Sequence, residues 1–115
     1  MLTTDQKTTA IVAALEDIKA VDILVINTSK RSPLFDRMII ASAQSTRQTK
    51  ALADNVEKKL KEIGEEPLSE EGSGSGEWIL LDYAEVLVHI MQPAVRAYYN
   101  LEELWDARPV ASTPK

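Results

Sequence analysis

His89 is the only histidine in the chain, and there is no cysteine. A serine–histidine–acid relay would therefore have to run through His89, with Asp82 or Glu85 orienting the imidazole. In the hairpin described below both acids sit at the tip, two or more residue pairs from the ring. His89 thus reads as a surface or packing residue, not a general base. The paired carboxylates Glu65–Glu66 and Glu70–Glu71 lie in an acidic loop and read as solvated. GSGSG at Gly72–Gly76 lacks the lysine of a phosphate-binding loop and precedes a strand, where that motif needs a helix. It reads as a linker. Without cysteine there is no disulfide and no thiolate metal site, and a single histidine builds no imidazole cluster. No catalytic residue, metal or cofactor is expected.

The residues with more to offer are those suited to contact. Trp78 opens a strand just after the flexible run, where an amphipathic anchor at an interface would sit. Tyr98, Tyr99 and Trp105 follow on the last helix, Trp105 as packing behind Leu101 and Leu104. Arg96 can pair with Glu102 or Glu103, or donate to a partner.

The stretch that must position them is EWILLDYAEVLVHIMQP. Two apolar runs, Trp78–Leu81 and Val86–Met91, flank a polar break short enough for a hairpin. With Tyr83 and Ala84 as the loop, Asp82 faces Glu85, Leu80 faces Leu87 and Trp78 faces His89. Alternation then places Ile79, Leu81, Val86, Val88 and Ile90 on one apolar side, the core side. Trp78, Leu80, Asp82, Glu85, Leu87, His89 and Met91 share the other, which reads as a surface to be touched. Neither loop residue favours such a turn, and a slip of one residue would redistribute the faces. Pro93 suits the first turn of the helix that follows.

Earlier in the chain, Thr3 or Thr4 caps a first helix that ends near Lys19 or Ala20 and buries Thr8, Ile11, Val12, Leu15 and Ile18. Ile23–Ile26 is a continuous apolar run, expected to be a strand covered on both faces. A polar loop, Asn27–Pro33, leads to a second strand at Met38–Ala41. Ser45 and Gln48 form a capping box for a helix with Leu52, Val56, Leu60 and Ile63 on one stripe and Gly64 as its stop. Glu65–Gly76 is expected to be a mobile loop. The order helix, strand, strand, helix, strand, strand, helix gives an α/β or mixed α+β domain, one mixed sheet flanked by helices. Residues 1–105 form this single domain, and 106–115 form a frayed tail.

Composition narrows the partners. The chain has 115 residues, 44% of them hydrophobic, enough for one modest core. No apolar run approaches the roughly 18 residues that span a bilayer, and no signal peptide is evident. The absence of cysteine fits a cytoplasmic location. Eighteen acidic and thirteen basic residues give a net charge of −5, which disfavours phosphate-dominated nucleic-acid binding and suits a basic protein.

These pieces together resemble the Iojap family of ribosomal silencing factors. The matching segments are Val21–Ile23, Asp36 with Met38–Ser42, Ser45–Gln48 with Ala53–Asp54, Glu71–Gly72, Trp78–Asp82, Val88–His89, Arg96, Tyr99, and Leu101–Glu102 with Leu104–Trp105. The chain departs from the family at Ala43–Gln44, where glycine and threonine are usual, and at Ala84, where glycine is usual. The resemblance implies a nucleotidyltransferase-like fold without its catalytic carboxylates. It further implies a translational repressor that binds the large ribosomal subunit through its fourteenth protein and sterically blocks joining of the small subunit when nutrients are short. Trp78, Asp82, His89, Arg96 and Tyr99 are the expected partner-binding residues. An exposed His89 would lend binding a pH sensitivity near 6.5. A homodimer is a further expectation for the free protein. The alternative is a small nucleotidyltransferase-like or nucleotide-binding enzyme, for which Asp22 and Asp36 are the candidate carboxylates.

Overall fold

The structure, a computed structural model, describes residues 2–105. Nine elements follow one another: α1 (Thr4–Asp17), β1 (Val21–Asn27), β2 (Arg37–Ser42), α2 (Thr46–Glu62), β3 (Ser69–Glu71), β4 (Trp78–Asp82), β5 (Val86–Met91), α3 (Pro93–Tyr99) and α4 (Leu101–Trp105). The strands form one mixed sheet in the order β1-β2-β5-β4-β3. Only β2 and β5 run parallel, and the other neighbours are antiparallel.

Period-two alternation divides the buried residues between two layers. Ile39, Ala41, Ile79, Leu81, Val86, Val88 and Ile90 meet Ile11, Leu15, Leu52, Val56 and Leu60 of α1 and α2 in the larger core. On the opposite face Ile26, Met38, Ile40 and Met91 form a smaller one, covered by Val95 of α3 and Leu101 of α4. Each helix start has a local cause. Thr3 accepts the Gln6 N–H while Gln6 reaches back to the Thr3 N–H, a complete capping box. Ser45 accepts the Gln48 N–H, but the Gln48 amide donates to the carbonyls of Ile18 and Lys19 instead of closing a box. It thereby pins the start of α2 to the end of α1.

Several expectations need correction. β1 is an edge strand rather than one covered on both faces: Val21 and Val25 are each 42% exposed, and of its residues only Ile26 is buried. A continuous apolar run does not reveal where the covering helices stop, and these stop short of the edge. Ile63 is also exposed, so the α2 stripe ends at Leu60. The segment Glu65–Gly76 contains β3, paired with β4 from Ser69↔Asp82 to Glu71↔Leu80. The glycine run is not a free linker. Gly72 has φ +89, and a Cβ there would collide with the Trp78 carbonyl, while the Gly76 carbonyl accepts the Thr49 hydroxyl. Finally, Asn100 takes the left-handed conformation and divides the expected last helix into α3 and α4. The expected tail at 106–115, and the packing expected of the Trp105 side chain, lie outside the described residues and side chains.

Candidate functional site

The hairpin register differs from the expected one by a single step of the turn. Trp78 pairs with Met91, Leu80 with His89 and Asp82 with Leu87. The Tyr83 N–H donates to the Val86 carbonyl, which leaves Ala84 and Glu85 as the two-residue loop. Moving the turn by one residue moves each partner by two, so parity is kept and both faces keep their residues. Glu85 leaves the strand and faces Lys7. Ala84 holds φ +74, a left-handed conformation that glycine enters without strain.

On the second face the structure assembles a row of rings. Trp78 lies against Tyr99 with ring centroids 4.7 Å apart, and Tyr99 meets Tyr98 edge-on at 5.0 Å. On its other side Trp78 lies 5.7 Å from the His89 ring and donates its indole N–H to His89 Nδ1 at 2.9 Å. Indole nitrogen only donates, so Nδ1 is unprotonated and the neutral imidazole carries its proton on Nε2. His89 is 7% exposed, and burial lowers its pKa to about 4. Of the two expectations for His89, surface or packing, the structure bears out packing, and its burial removes the expected titration near 6.5. Its polar character was visible in the sequence, but the depth at which Trp78 holds it was not.

The other expected contact residues divide by role. Tyr99 is 53% exposed and Trp78 is half-buried beneath it. Asp82 accepts the Ala84 N–H at 2.8 Å and so braces the turn. Arg96 is a strut: its Nη1 donates to the Asp22 carbonyl and the Ser42 hydroxyl, both at 2.8 Å. This clamps α3 to the start of β1, where Asp22 has φ +52 beside a bulge. The expected partner-binding set left out the outermost members of the surface, although Tyr98 was weighed for contact. Tyr98 is 82% exposed and Leu104 65% exposed. The signal for them was an apolar or aromatic residue on each of two short helices whose inward positions, Val95 on α3 and Leu101 on α4, are already spent on the second core.

At the hairpin turn, buried Lys7 binds Glu85 at 2.8 Å and Glu65 at 3.3 Å. Burial opposes its charge, but the two carboxylates outweigh burial and hold its pKa above the ordinary value. Glu85 is held below its usual range by the hydrogen bond from Lys7. Asp22 and Asp36 do not converge. Val21 pairs with Ser42 whereas Asn27 pairs with Arg37, so the two carboxylates stand at opposite ends of the β1–β2 ladder. Among the described residues no three histidine, aspartate or glutamate side chains are placed to hold a metal. No described helix is long and apolar enough to cross a membrane.

Fold and site define a small mixed α/β domain with an exposed aromatic face beside a hairpin. The chain belongs to the ribosomal silencing factor family: the family model described as "Ribosomal silencing factor during starvation" matches residues 2–115. It is 54% identical over 97 residues to a ribosomal silencing factor of Chromobacterium violaceum, covering 84% of this chain and 80% of that one. A ribosomal silencing factor of Haemophilus influenzae is 40% identical over 91 residues, covering 79% and 89%. A crystal structure of a C. violaceum protein superposes with a TM-score of 0.89 at 49% identity, covering 90% of this chain and 87% of that one.

Proposed function

We propose that this protein binds the large ribosomal subunit through its fourteenth protein and prevents the small subunit from joining, damping translation under nutrient limitation. The observation that carries this reading is the family match along nearly the whole chain. The surface supports it. Tyr98, Tyr99 and Leu104 expose aromatic and apolar area of the kind that anchors interfaces, and the net charge of −5 suits a basic partner. The mechanism is steric exclusion. The molecule is 21 Å across its thinnest dimension, so bound on the joining face it takes up space the small subunit needs. An occupant of that thickness on the joining face must leave before the subunits meet.

The rings divide the work. Tyr98 and Tyr99 offer contact area, Trp78 supports them from below, and His89 holds the indole through its Nδ1. In the free protein the same exposed face is proposed to form a homodimer that the ribosome displaces. The test is magnesium-driven joining of purified subunits, followed by light scattering. Pre-incubating large subunits with the protein should suppress the rise in scattering, and pre-incubating small subunits should not. Joining that proceeds unaffected in both cases refutes the proposal.

A further inference from the structure

At the turn end of the hairpin, Pro33, Leu34 and Phe35 of the β1–β2 loop line an open groove of about 640 Å³ together with Leu68. Leu34 is 81% exposed and Leu68 72% exposed. A single exposed leucine is ordinary, but two lining one groove with Pro33 and Phe35 form a patch. The charged residues lining the groove are Asp36, Asp82 and Glu85, with no basic side chain among them. Glu85 is already paired with Lys7. Among the described residues the Asp82 carboxylate receives only the Ala84 backbone N–H and no cationic side chain. Among the described residues Asp36 forms its hydrogen bonds through backbone atoms alone. Two carboxylates thus remain to meet a cation beside an apolar slot.

We propose that this groove seats an apolar side chain of a large-subunit protein, flanked by lysine or arginine directed at Asp36 and Asp82. The proposal rests on the ribosome-binding reading above and adds a second contact to it. Ribosomal RNA is a poor occupant, because its phosphates would face the carboxylates. Asp82 shares a sheet face with Trp78, four residues away along β4, a separation of about 14 Å at roughly 3.4 Å per residue. A partner burying the usual area of about 800 Å² can therefore reach both the groove and the aromatic row.

The test uses the full chain and purified large subunits in a pelleting assay, with Leu34→Asp, Leu68→Asp and Asp36→Lys compared with the parent. The two leucines are exposed, so both variants should melt with the parent. Each leucine variant should lose affinity by about tenfold or more, the threshold of an energetically important contact. Asp36→Lys should bind more weakly at low salt, with the difference shrinking as salt is raised. If the parent pellets and both leucine variants pellet equally well, the groove proposal fails and the ribosome-binding reading stands. If the parent does not pellet, both fail. If the leucine variants turn a dimer into a monomer without changing pelleting, the occupant is a second copy and the proposal is wrong. Should a leucine variant unfold, Asp36→Lys decides, and unchanged affinity at low salt overturns the proposal.

Discussion

Replacing Trp78 with phenylalanine keeps a ring over Tyr99 but removes the N–H that His89 Nδ1 accepts at 2.9 Å. His89 is 7% exposed, so its ring nitrogen then lacks a partner in a site that water hardly reaches. An unsatisfied buried acceptor costs about 1–3 kcal/mol, and the variant should be less stable by that amount at pH 7.5. The gap should depend on pH. The folded imidazole titrates at about 4 because burial penalises its charged form, against an ordinary value of 6.5. Between those values the unfolded chain holds more protons than the folded one. The contribution is therefore complete above pH 6.5 and lost as pH falls through 4, about 3 kcal/mol in all. Once protonated, Nδ1 no longer accepts from the indole, so parent and variant should converge below pH 4. Urea unfolding followed by circular dichroism at about pH 7.5, 5.5 and 3 measures the gap. Because the chain has one histidine, its proton resonances report the titration without ambiguity. An imidazole that titrates near 6.5, or a gap that stays constant with pH, would refute the reasoning.

Glu57 runs the other way: burial, then the charges of Glu70 and Asp54, raise its carboxyl to about 7. Its contribution is present below 4.5 and lost as pH rises through 7, so Glu57→Gln should match the parent at pH 5 and be more stable than the parent at pH 8 in thermal melts. Ala84→Gly should stabilise the fold. Relief of a left-handed alanine, about 1–2 kcal/mol, exceeds the added chain entropy of glycine, about 0.4–1 kcal/mol, which raises the melting temperature by roughly 2–6 °C. Arg96→Ala should cost about 2 kcal/mol and weaken amide-exchange protection in α3. Arg96→Lys should restore only part of it, since the shorter lysine side chain must stretch to bring its ammonium to the Nη1 position.

The hairpin faces were legible because alternation survives an error in the turn. What erred was the turn itself, since the loop begins with a non-glycine residue at positive φ. β3 was hidden for a different reason. Ser69–Glu71 carries no apolar alternation and exists because the β4 edge offers backbone partners. The aromatic row was legible in composition but not in depth. A histidine and an arginine on a mixed face read as contact residues, yet His89 is satisfied by Trp78, and Arg96 binds the Asp22 carbonyl and the Ser42 hydroxyl. Both partners lie far away in sequence. Lys7 escaped notice because a lone lysine on a helix ordinarily faces water, and its two carboxylate partners arrive from Glu65 and Glu85.

Sedimentation of the purified chain through sucrose gradients with separated ribosomal subunits tests the central claim most directly. The protein should travel with the large subunit and not with the small one. A Tyr98→Ala/Tyr99→Ala variant that melts with the parent should stay near the top of the gradient. Migration with the small subunit alone, or with neither, would contradict the account.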